Sequence, residues 1–424
     1  MNLYVVRDGR SVVVKMFYLY LCRMNLYLFN PENDLALANN DPHFIPPRSA
    51  RKMAADMCML PAWWMRNGDV LCGAEGLYAS SMRLQEDSLG VCPSFGWMDE
   101  NTGCRPERIC PWGWSPLLLT RLRGSGIPDV LLPSQERMEE YRRLSGRQTA
   151  ARWLEAFRLS WGGEENFSAA GFCGKAVACH TEDDIQCCLS RWPETLLKAP
   201  WSGSGKGLRL GRGGYVSPLD GWCRRLLRTQ GCVMVEPLYH KELDFGMEFY
   251  CDGCGTVRYE GLSLFHTNQQ GAYVGSRLAT EETLRAVLGR YVPLESVDVA
   301  RRFLQSCLEE EVAGIYEGYC GVDMMVCRQT DRYVVHPCVE LNLRMTMGMV
   351  AIHLSRRLAR TSEGIFRVTY SNDPAALRQW YARQQQAAPR GQTGGKVVAG
   401  YWPLTPVVAG TSYHAYMDVH PLVT

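Results

Sequence analysis

The segment from residue 175 to residue 341 is dominated by short apolar runs with the alternation and spacing that are typical of β-strands. Helical patterns interrupt these runs at Glu282–Leu288 and Val297–Val312, and a third follows the last run at Met349–Ala359. Hairpins with few crossover helices fold into antiparallel sheets with helices laid on them, so the expected class is α+β. The predicted strands are Lys175–Cys179, Thr195–Ala199, Cys232–Val235, Phe245–Cys251, Val257–Phe265, Gly321–Cys327 and Tyr333–Leu341.

The sequence before residue 136 has a different character and predicts a smaller α/β lobe. Its apolar strand candidates, Leu26–Phe29, Asp69–Cys72 and Val130–Leu132, are separated by turns and by stretches rich in Trp and Pro. A helical pattern then runs from Glu136 to Phe157, with a predicted break at Ser145-Gly146. We divide the chain into an extension (1–23), an N-terminal α/β domain (24–135), a main domain (136–385), and a linker with a C-terminal strand pair (386–424).

The first 23 residues contain an apolar stretch, Ser11 to Cys22. It is too short to cross a bilayer, which needs about 20 apolar residues, and Lys15 interrupts it. A second Met-Asn-Leu-Tyr begins at Met24, repeats the opening four residues and leads into a clearer strand. We expect residues 1–23 to be an extension, with a genuine first strand as the alternative, and the chain to be cytoplasmic.

Composition favours small-molecule partners. The chain has 46 Lys and Arg against 44 Asp and Glu, a net charge of +2, so it lacks the basic excess of a nucleic-acid surface. We expect neither nucleic acid nor membrane as a partner. The 18 cysteines are scattered through the chain and predict reduced thiols rather than a disulfide framework. The pair in Cys251-Asp-Gly-Cys254 flanks a hairpin-turn signal, so we interpret it as two residues across a turn rather than a metal motif.

A glycine-rich loop directly follows a strand that ends in lysine. Lys198 closes the apolar run, and Trp201-Ser-Gly-Ser-Gly-Lys-Gly207 comes immediately after it. Glycines allow backbone N–H groups to turn together toward an anion, which lysines neutralise. A P-loop would need glycine at position 200 and a hydroxyl residue at position 207, where the chain has Pro200 and Gly207. By itself the loop fits a phosphate site and a plain hairpin connection equally well.

Polar side chains occupy one face of two later strands. In a strand, the side chain of Asp323 points to the face opposite to that of its neighbours Val322 and Met324. Glu340, Asn342 and Arg344 occur at every second position, so their side chains share one face of the next strand. Two carboxylates and one carboxamide are hard oxygen donors that suit Mg²⁺, and arginine can bind a phosphoryl oxygen. The alternative is an ordinary solvated strand face with a salt bridge between Glu340 and Arg344.

Taken in order, these segments resemble the ATP-grasp superfamily from about Gly146 to His353. Lys198 and Gly203–Gly207 look like the lysine and flexible loop over the triphosphate, and Val233-Met-Val-Glu236-Pro-Leu looks like the adenine-binding hinge strand. The resemblance implies an ATP-grasp fold, two α+β lobes that clamp ATP, with ATP and Mg²⁺ as cofactors. It implies metal ligands Asp323, Glu340 and Asn342; catalytic residues Arg344 and Lys206; and nucleotide contacts Arg147, Lys198, Ser204, Gly205, Lys206, Glu236, Leu238 and Asp244.

The sequence departs from the family pattern in two places. Where the family has a lysine in the helix before the small lobe, this chain has Arg147, a planar fork rather than a point charge. The acidic residue expected near the ribose is Glu242 or Asp244; we use Asp244, although the sequence does not decide between them. The N-terminal lobe matches no subfamily. Its segment from Asn30 to Asp34 follows the first strand, where binding loops occur, but a helix cap or turn explains it equally well.

The resemblance implies a ligase that joins a carboxylate to an amine through an acyl phosphate and releases ADP and phosphate. No side-chain nucleophile is required, and the sequence has no local signature of a Ser-His-Asp or Cys-His arrangement. Three alternatives stay open: an ATP-grasp kinase or phosphotransferase, a nucleotide-binding module without catalysis, and a structural protein in which the motifs are coincidental. The identity of the acid and the amine and the oligomeric state do not follow from the sequence.

Overall fold

The structure is a computed structural model. It describes residues 2–7, 10–15, 24–73, 75–88, 91–93, 96–98, 106–203, 207–212, 217–268 and 271–422. Near the amino terminus, β1 (Asn2–Arg7) and β2 (Arg10–Lys15) pair with each other as an antiparallel hairpin. The assignment of residues 1–23 to an extension stays a prediction.

The N-terminal lobe is built on a four-stranded parallel sheet. Its strands are β3 (Asn25–Leu28), β4 (Val70–Cys72), β5 (Gly96–Met98) and β6 (Arg108–Pro111), in the spatial order β5-β4-β3-β6. Four helices belong to it: α1 (Asn33–Asn39), α2 (Arg48–Asp56), α3 (Tyr78–Glu86) and α4 (Pro116–Gly124). β4 and β5 follow β3 on one side, whereas β6 lies on its other side. The order of the strands therefore reverses between β3 and β6, which makes this place a topological switch point.

Two helices lead from this lobe into a small antiparallel sheet. They are α5 (Gln135–Leu144) and α6 (Arg147–Ser160), followed by α7 (Glu164–Ala169). The predicted break at Ser145-Gly146 is confirmed. The sheet comprises β7 (Val177–Cys179), β8 (Glu194–Lys198), β9 (Leu208–Arg212) and β10 (Val233–Pro237) in the order β7-β10-β8-β9, with α8 (Glu182–Arg191) and α9 (Ser217–Gln230). We call this unit the small lobe.

The large lobe is a nine-stranded antiparallel sheet in the order β15-β14-β11-β12-β13-β16-β19-β18-β17. Its strands are β11 (Lys241–Asp252), β12 (Val257–Thr267), β13 (Tyr273–Leu278), β14 (Glu317–Arg328), β15 (Tyr333–Asn342), β16 (Ser362–Tyr370), β17 (Gly391–Thr393), β18 (Lys396–Pro403) and β19 (Tyr413–Pro421). Its helices are α10 (Glu281–Leu288), α11 (Leu294–Glu311), α12 (Met347–Ser355) and α13 (Pro374–Ala387).

The core is arranged so that the lobes share apolar contacts. One cluster joins β3 to the helices before the small lobe and to the large sheet through residues such as Leu26, Trp153 and Val322. A second packs α12, which is almost entirely apolar, against the C-terminal strands and the N-terminal lobe. Burial of these side chains holds the strand ends that carry the polar residues in a fixed relation.

The predicted α+β architecture, two α+β lobes with a small α/β lobe in front, is confirmed. Two local expectations differ. Val130–Leu132 is no strand: Asp129–Leu131 forms a 3-10 turn, and Val130 is 89% exposed. The C-terminal strands, predicted as a separate pair, continue the large sheet through β16, and α13 and β17 leave only residues 388–390 as a link. Within the described chain, no helix has the length and apolar character needed to cross a membrane.

Candidate active site

The predicted metal ligands lie on neighbouring strands of the large sheet. Asp323 on β14 is directly opposite Glu340 on β15, and Gly321 is opposite Asn342. Residues paired in this way project from the same face with their Cβ atoms about 4.5–5.5 Å apart. The side chain of Asn342 also hydrogen-bonds to Asp323. The structure therefore brings all three residues together, as the alternation predicts.

Burial and two neighbouring carboxylates change the chemistry of Asp323. Removal from water raises its pKa to about 8, and the carboxylates of Glu340 and Glu248 add to the rise. The guanidinium of Arg344 and the hydrogen bond from Asn342 act in the opposite direction. Paired carboxylates in this setting are stabilised by a cation that both can contact.

Glu248 is a buried carboxylate that the sequence analysis missed. It lies on β11, is 2% exposed, and accepts hydrogen bonds from the hydroxyls of Ser263 (3.0 Å) and Thr346 (2.7 Å). Burial raises its pKa to about 7. Gly321 and Gly348 border it, and a Cβ at either position would collide with its carboxylate. Glu248 thus fixes Thr346, the cap of α12, just beyond the Glu340–Arg344 segment.

Arg147 connects the candidate metal ligands to the glycine-rich loop. It is the first residue of α6 and is 8% exposed. Its guanidinium donates to the Ala199 carbonyl (2.6 Å), to the Ser202 hydroxyl (2.9 Å) and to Glu340 Oε2 (2.7 Å). Its Nε is buried without a hydrogen-bond partner among the described residues. Arg147 is therefore a cation at the junction of loop and strand, and its contact with a nucleotide stays a prediction.

Arg344 faces the N-terminal lobe. Its guanidinium makes a two-pronged ion pair with Asp34, through Nε to Oδ1 (2.8 Å) and Nη2 to Oδ2 (2.7 Å). Nη2 also donates to Asn342 Oδ1 at 2.8 Å. The Asp34 carboxylate raises the pKa of Arg344, so the side chain is a fixed cation. The alternative salt bridge between Glu340 and Arg344 is wrong, because each residue pairs with a different partner.

Lys198 and Glu236 form a buried ion pair in the small lobe. Lys198 ends β8, Glu236 is the penultimate residue of β10, and Nζ lies 2.6 Å from Oε2. Their side chains are only 6% and 5% exposed. The Lys198 charge also contributes to lowering the pKa of His336 on β15, so Lys198 lies on the side of the small lobe that faces the large sheet. Both residues therefore lie where the two lobes meet.

A cavity of about 630 Å³ opens beside the end of β10. Leu238 and Tyr239 line one wall, and Cys173, Cys327 and residues 328–331 line the rest. Its size falls in the range of small-molecule pockets. Leu238 also donates its backbone N–H to the Glu194 carbonyl at 2.9 Å, which fixes its position after the strand.

Of the two ribose candidates, Asp244 lies in the sheet facing the small lobe. It is opposite Met325, which is opposite His336, so the three share one face. Its Oδ2 accepts from Lys241 (2.5 Å) and from the Thr267 hydroxyl (2.9 Å). Glu242 is exposed at the irregularity between Lys241 and Leu243. The assignment of Asp244 to the ribose stays a prediction.

The glycine-rich segment connects two antiparallel strands. Lys198 pairs with Leu208, and the Ala199 N–H donates to the Gly207 carbonyl at 2.8 Å. The exclusion of a P-loop is confirmed, since a strand and not a helix follows. Ser204, Gly205 and Lys206 lie outside the described residues, so their predicted roles stay predictions. A Cβ on Gly203 would lie 3.8 Å from Cβ of Asp34, which brings the loop close to the N-terminal lobe.

The sequence analysis assigned no role to the N-terminal lobe, yet its loops complete the site. Asn33, Asp34 and Leu37 line a cleft together with Ser145, Trp201, Ser202 and the Glu340–Arg344 segment. We call it the interlobe cleft. Its free volume is about 10 Å³, room for one water molecule. The sequence signal was the cluster of polar residues after the first strand, which turn formation explained equally well.

The donor set fits Mg²⁺, although the described residues contain no group of three His, Cys, Asp or Glu that could hold a metal. Two carboxylates and a carboxamide supply hard oxygens, and the raised pKa of Asp323 shows that the pair favours an added positive charge. For a nucleotide phosphate the fit rests on Arg147, whose buried Nε is an unused donor, and on nearby Lys198. The residues present therefore suit both groups.

Comparison with known proteins gives structural similarities alone. No protein-family model matches the sequence, and no curated protein does. N5-carboxyaminoimidazole synthetase from Staphylococcus aureus, complexed with ADP, is 11% identical, with a TM-score of 0.46 over 95% of this chain and 94% of that one. Biotin carboxylase from Campylobacter jejuni is 12% identical, with a TM-score of 0.46 over 94% and 88%. N5-carboxyaminoimidazole ribonucleotide synthetase from Thermus thermophilus is 12% identical, with a TM-score of 0.43 over 93% of both.

Proposed function

We propose that this chain is an ATP- and Mg²⁺-dependent ligase that joins a carboxylate to an amine through an acyl phosphate and releases ADP and phosphate. The observation that carries the proposal is the placement of Asp323 opposite Glu340, with Asn342 beside them, next to the guanidinium of Arg147. A wet strand face needs no such convergence of two carboxylates and a carboxamide with a cation from another lobe.

Asp323, Glu340 and Asn342 would hold Mg²⁺ through their side-chain oxygens. Mg²⁺ bound there would neutralise the negative charge of the phosphates, as metal ions do in phosphoryl transfer. Glu340 already pairs with Arg147, so this guanidinium would lie beside the residues that hold Mg²⁺.

The nucleotide would lie between the small lobe and the large sheet. In this proposal Lys198 and Arg147 contact the phosphates, Glu236 and Leu238 border the adenine, and Asp244 contacts the ribose. Ser204, Gly205 and Lys206 would cover the triphosphate. The ion pair between Lys198 and Glu236 keeps the lysine at one place before any ligand arrives, so little side-chain entropy is lost on binding.

Arg344 would neutralise the charge of the carboxylate substrate and of its phosphorylated form. Its side chain is held in one orientation by Asp34 and Asn342, which favours stabilisation of developing charge without reorganisation. Lys206 is the second residue proposed for this task. The narrow interlobe cleft would keep water away from the activated acyl group.

The proposal is tested by calorimetric titration of the purified chain with ATP, with and without MgCl₂. We expect ATP to bind in both cases and Mg²⁺ to strengthen the binding at least about tenfold, since charge neutralisation of this kind is worth more than about 1.4 kcal/mol. Absence of ATP binding under both conditions would overturn the proposal. Where ADP forms with an acid but no amide does, the phosphotransferase alternative is correct instead.

A further inference from the structure

We propose that Asn33 and Asp34 of the N-terminal lobe form the binding site for the amine substrate, and that this substrate presents a small primary amino group. The inference rests on the proposed function, which it extends by naming where one substrate binds and what group is recognised.

The first support is the place of these residues in the N-terminal sheet. In an open parallel sheet, ligands bind outside the carboxyl ends of the strands, at the point where the strand order reverses. Here that point lies between β3 and β6. The first turn of α1, which follows β3 after a short loop, carries Asn33 and Asp34, and the loop after β6 carries Gly113. The backbone N–H of Met345 donates to the Trp112 carbonyl at 2.8 Å, so the same crevice adjoins the end of the Glu340–Arg344 segment.

The second support is Asn33 itself. It lines the interlobe cleft, is 1% exposed, and its Oδ1 has no hydrogen-bond partner in the part of the chain that the structure describes. A buried polar atom without a partner costs roughly 1–3 kcal/mol. An acceptor kept in this state at the wall of a cleft is suited to a ligand that donates a hydrogen bond.

The position of Asn33 is enforced by its surroundings. A Cβ on Gly113 would lie 2.6 Å from Cγ of Asn33, so the side chain packs directly on the glycine backbone. Asn30 holds the two loops together, since its Nδ2 donates to the Gly113 carbonyl at 2.8 Å. Gly113 and Asn30 therefore hold the side chain of Asn33 in one position.

Asp34 supplies the second acceptor. Its two oxygens each receive one hydrogen bond from Arg344, but a carboxylate has about four lone-pair sites, so each oxygen can accept another. The wall thus offers a second acceptor beside Asn33.

These acceptors select the chemical class. An ionised carboxylate or phosphate ligand has no donor for Asn33 or for Asp34. A hydroxyl has one donor, whereas a primary amine has at least two and satisfies both residues. The small volume of the cleft admits the amino end of such a molecule, beside the side chain that we assign to the acyl group, Arg344.

The test is ligand-observed NMR on the full chain, with glycinamide as the probe and glycolamide as its hydroxyl counterpart. Both are titrated with and without Mg·ADP, and acetate serves as a carboxylate control. We expect glycinamide to bind about tenfold more tightly than glycolamide, the factor that one well-made hydrogen bond gives. Equal binding of the two, or preferential binding of acetate, would overturn the inference.

Three variants locate the site. Asn33→Leu removes the acceptor, Asp34→Asn removes the charge, and Gly113→Ala displaces the Asn33 side chain while leaving the cleft chemistry unchanged. Each is expected to weaken glycinamide binding about tenfold and to leave the affinity for Mg·ADP within about twofold. Asp129→Asn, in an exposed ion pair of the same lobe, is the matched control and should bind as the wild type does.

The two proposals fail separately. Loss of glycinamide binding in Asp129→Asn as well, or its retention in both Asn33→Leu and Gly113→Ala, contradicts the amine site while ATP binding stands. Should Asn33→Leu unfold, Gly113→Ala and Asp34→Asn decide the question. Glycinamide binding without any binding of ATP would contradict the ligase and leave an amine-binding site.

Discussion

At the scale of single residues, two arginines hold the site together from different lobes. Arg147 joins the loop after β8 to Glu340, and Arg344 joins the end of β15 to Asp34. Each uses the planar guanidinium to bind several oxygens in fixed directions, which a lysine would not do. This explains why arginine at position 147 suits the site although it departs from the family pattern.

Removal of the candidate metal ligands should affect function and leave the fold intact. Glu340→Gln and Asn342→Ala are expected to abolish turnover, and Asp323→Asn to abolish the strengthening of ATP binding by Mg²⁺, because each removes an oxygen from the proposed shell. ADP formation measures turnover, calorimetry with and without MgCl₂ measures the effect of Mg²⁺ on ATP binding, and circular dichroism measures the fold of each variant. Unfolded variants would indicate a structural role.

The buried pair of Lys198 and Glu236 allows function to be separated from stability. Lys198→Met leaves the Glu236 carboxylate buried without its cation and should destabilise the chain by roughly 3–5 kcal/mol. The double variant Lys198→Met/Glu236→Leu removes both charges, so its stability should return to near that of the wild type. Neither variant should bind ATP as tightly as the wild type does.

Denaturant unfolding and ATP titration of both variants make the measurement. If the double variant binds ATP normally, Lys198 is no nucleotide contact. If the single variant is as stable as the wild type, the ion pair described here is not formed in solution.

The part of the site that could be predicted from sequence is the part encoded locally. Glu340, Asn342 and Arg344 occur at every second position, and this period of two predicts that their side chains lie on the same face of a strand. The partners of these residues could not be predicted: Arg147 is 193 residues from Glu340, and Asp34 is 310 residues from Arg344. Long-range ion pairs follow from the packing of lobes, which a single sequence does not encode in any local pattern.

At the scale of elements, β11, β12, β14 and β15 of the large lobe were predicted within a few residues, whereas β13, β16 and β17 were not predicted. Val130–Leu132 has the apolar composition of a strand, yet a 3-10 turn capped by Pro128 forms there. Of the three, only Val130 is exposed, whereas Leu131 and Leu132 pack against the edge of the core. Apolar runs of three residues do not distinguish a strand from a turn. The C-terminal strands were recognised, but their membership in the large sheet depends on pairing with β16.

The loop between β8 and β9 is expected to be a lid. Gly203–Gly207 contains three glycines, so without a ligand it should not hold one conformation. Limited trypsin digestion should cleave after Lys206, and Mg·ATP should slow this cleavage about tenfold or more while Mg²⁺ alone does not. Cleavage after Lys396, an exposed residue at the start of β18, is the internal control.

The comparison has two informative results. Slower cleavage at Lys206 with an unchanged rate at Lys396 supports closure of the loop over the nucleotide. Identical cleavage at both positions in every condition would mean that the segment is a surface hairpin connection without a ligand-dependent state.

At the scale of the whole molecule, buried histidines link stability to pH. Burial lowers the pKa of His336 and of His414 to about 3, and both side chains are no more than 1% exposed. An unfolded histidine has a pKa near 6.5, so the unfolded chain binds more protons between pH 6.5 and pH 3. Stability is therefore complete above pH 6.5 and is lost as the pH falls through this window.

His336→Leu should make the chain less sensitive to acid. His336 has no hydrogen-bond partner for either ring nitrogen among the described residues, so the substitution removes no hydrogen bond. The loss of unfolding free energy from pH 7 to pH 5 should be about 2 kcal/mol smaller than in the wild type. Urea unfolding at both pH values tests this, with the exposed His43→Asn as control; equal losses in His336→Leu and wild type would contradict the assigned burial.

The ion pair between Asp34 and Arg344 also has a consequence in time. The residues are 310 positions apart, so at about 5–20 residues per second the ribosome delivers the arginine roughly 15–60 s after the aspartate. During this interval Asp34 has no Arg344 with which to pair. The hydrogen bond from Asn30 to the Gly113 carbonyl can form once the loop after β6 has been synthesised. The earliest-synthesised wall of the cleft can thus be in place before the segment after β15, which carries Arg344, has been synthesised.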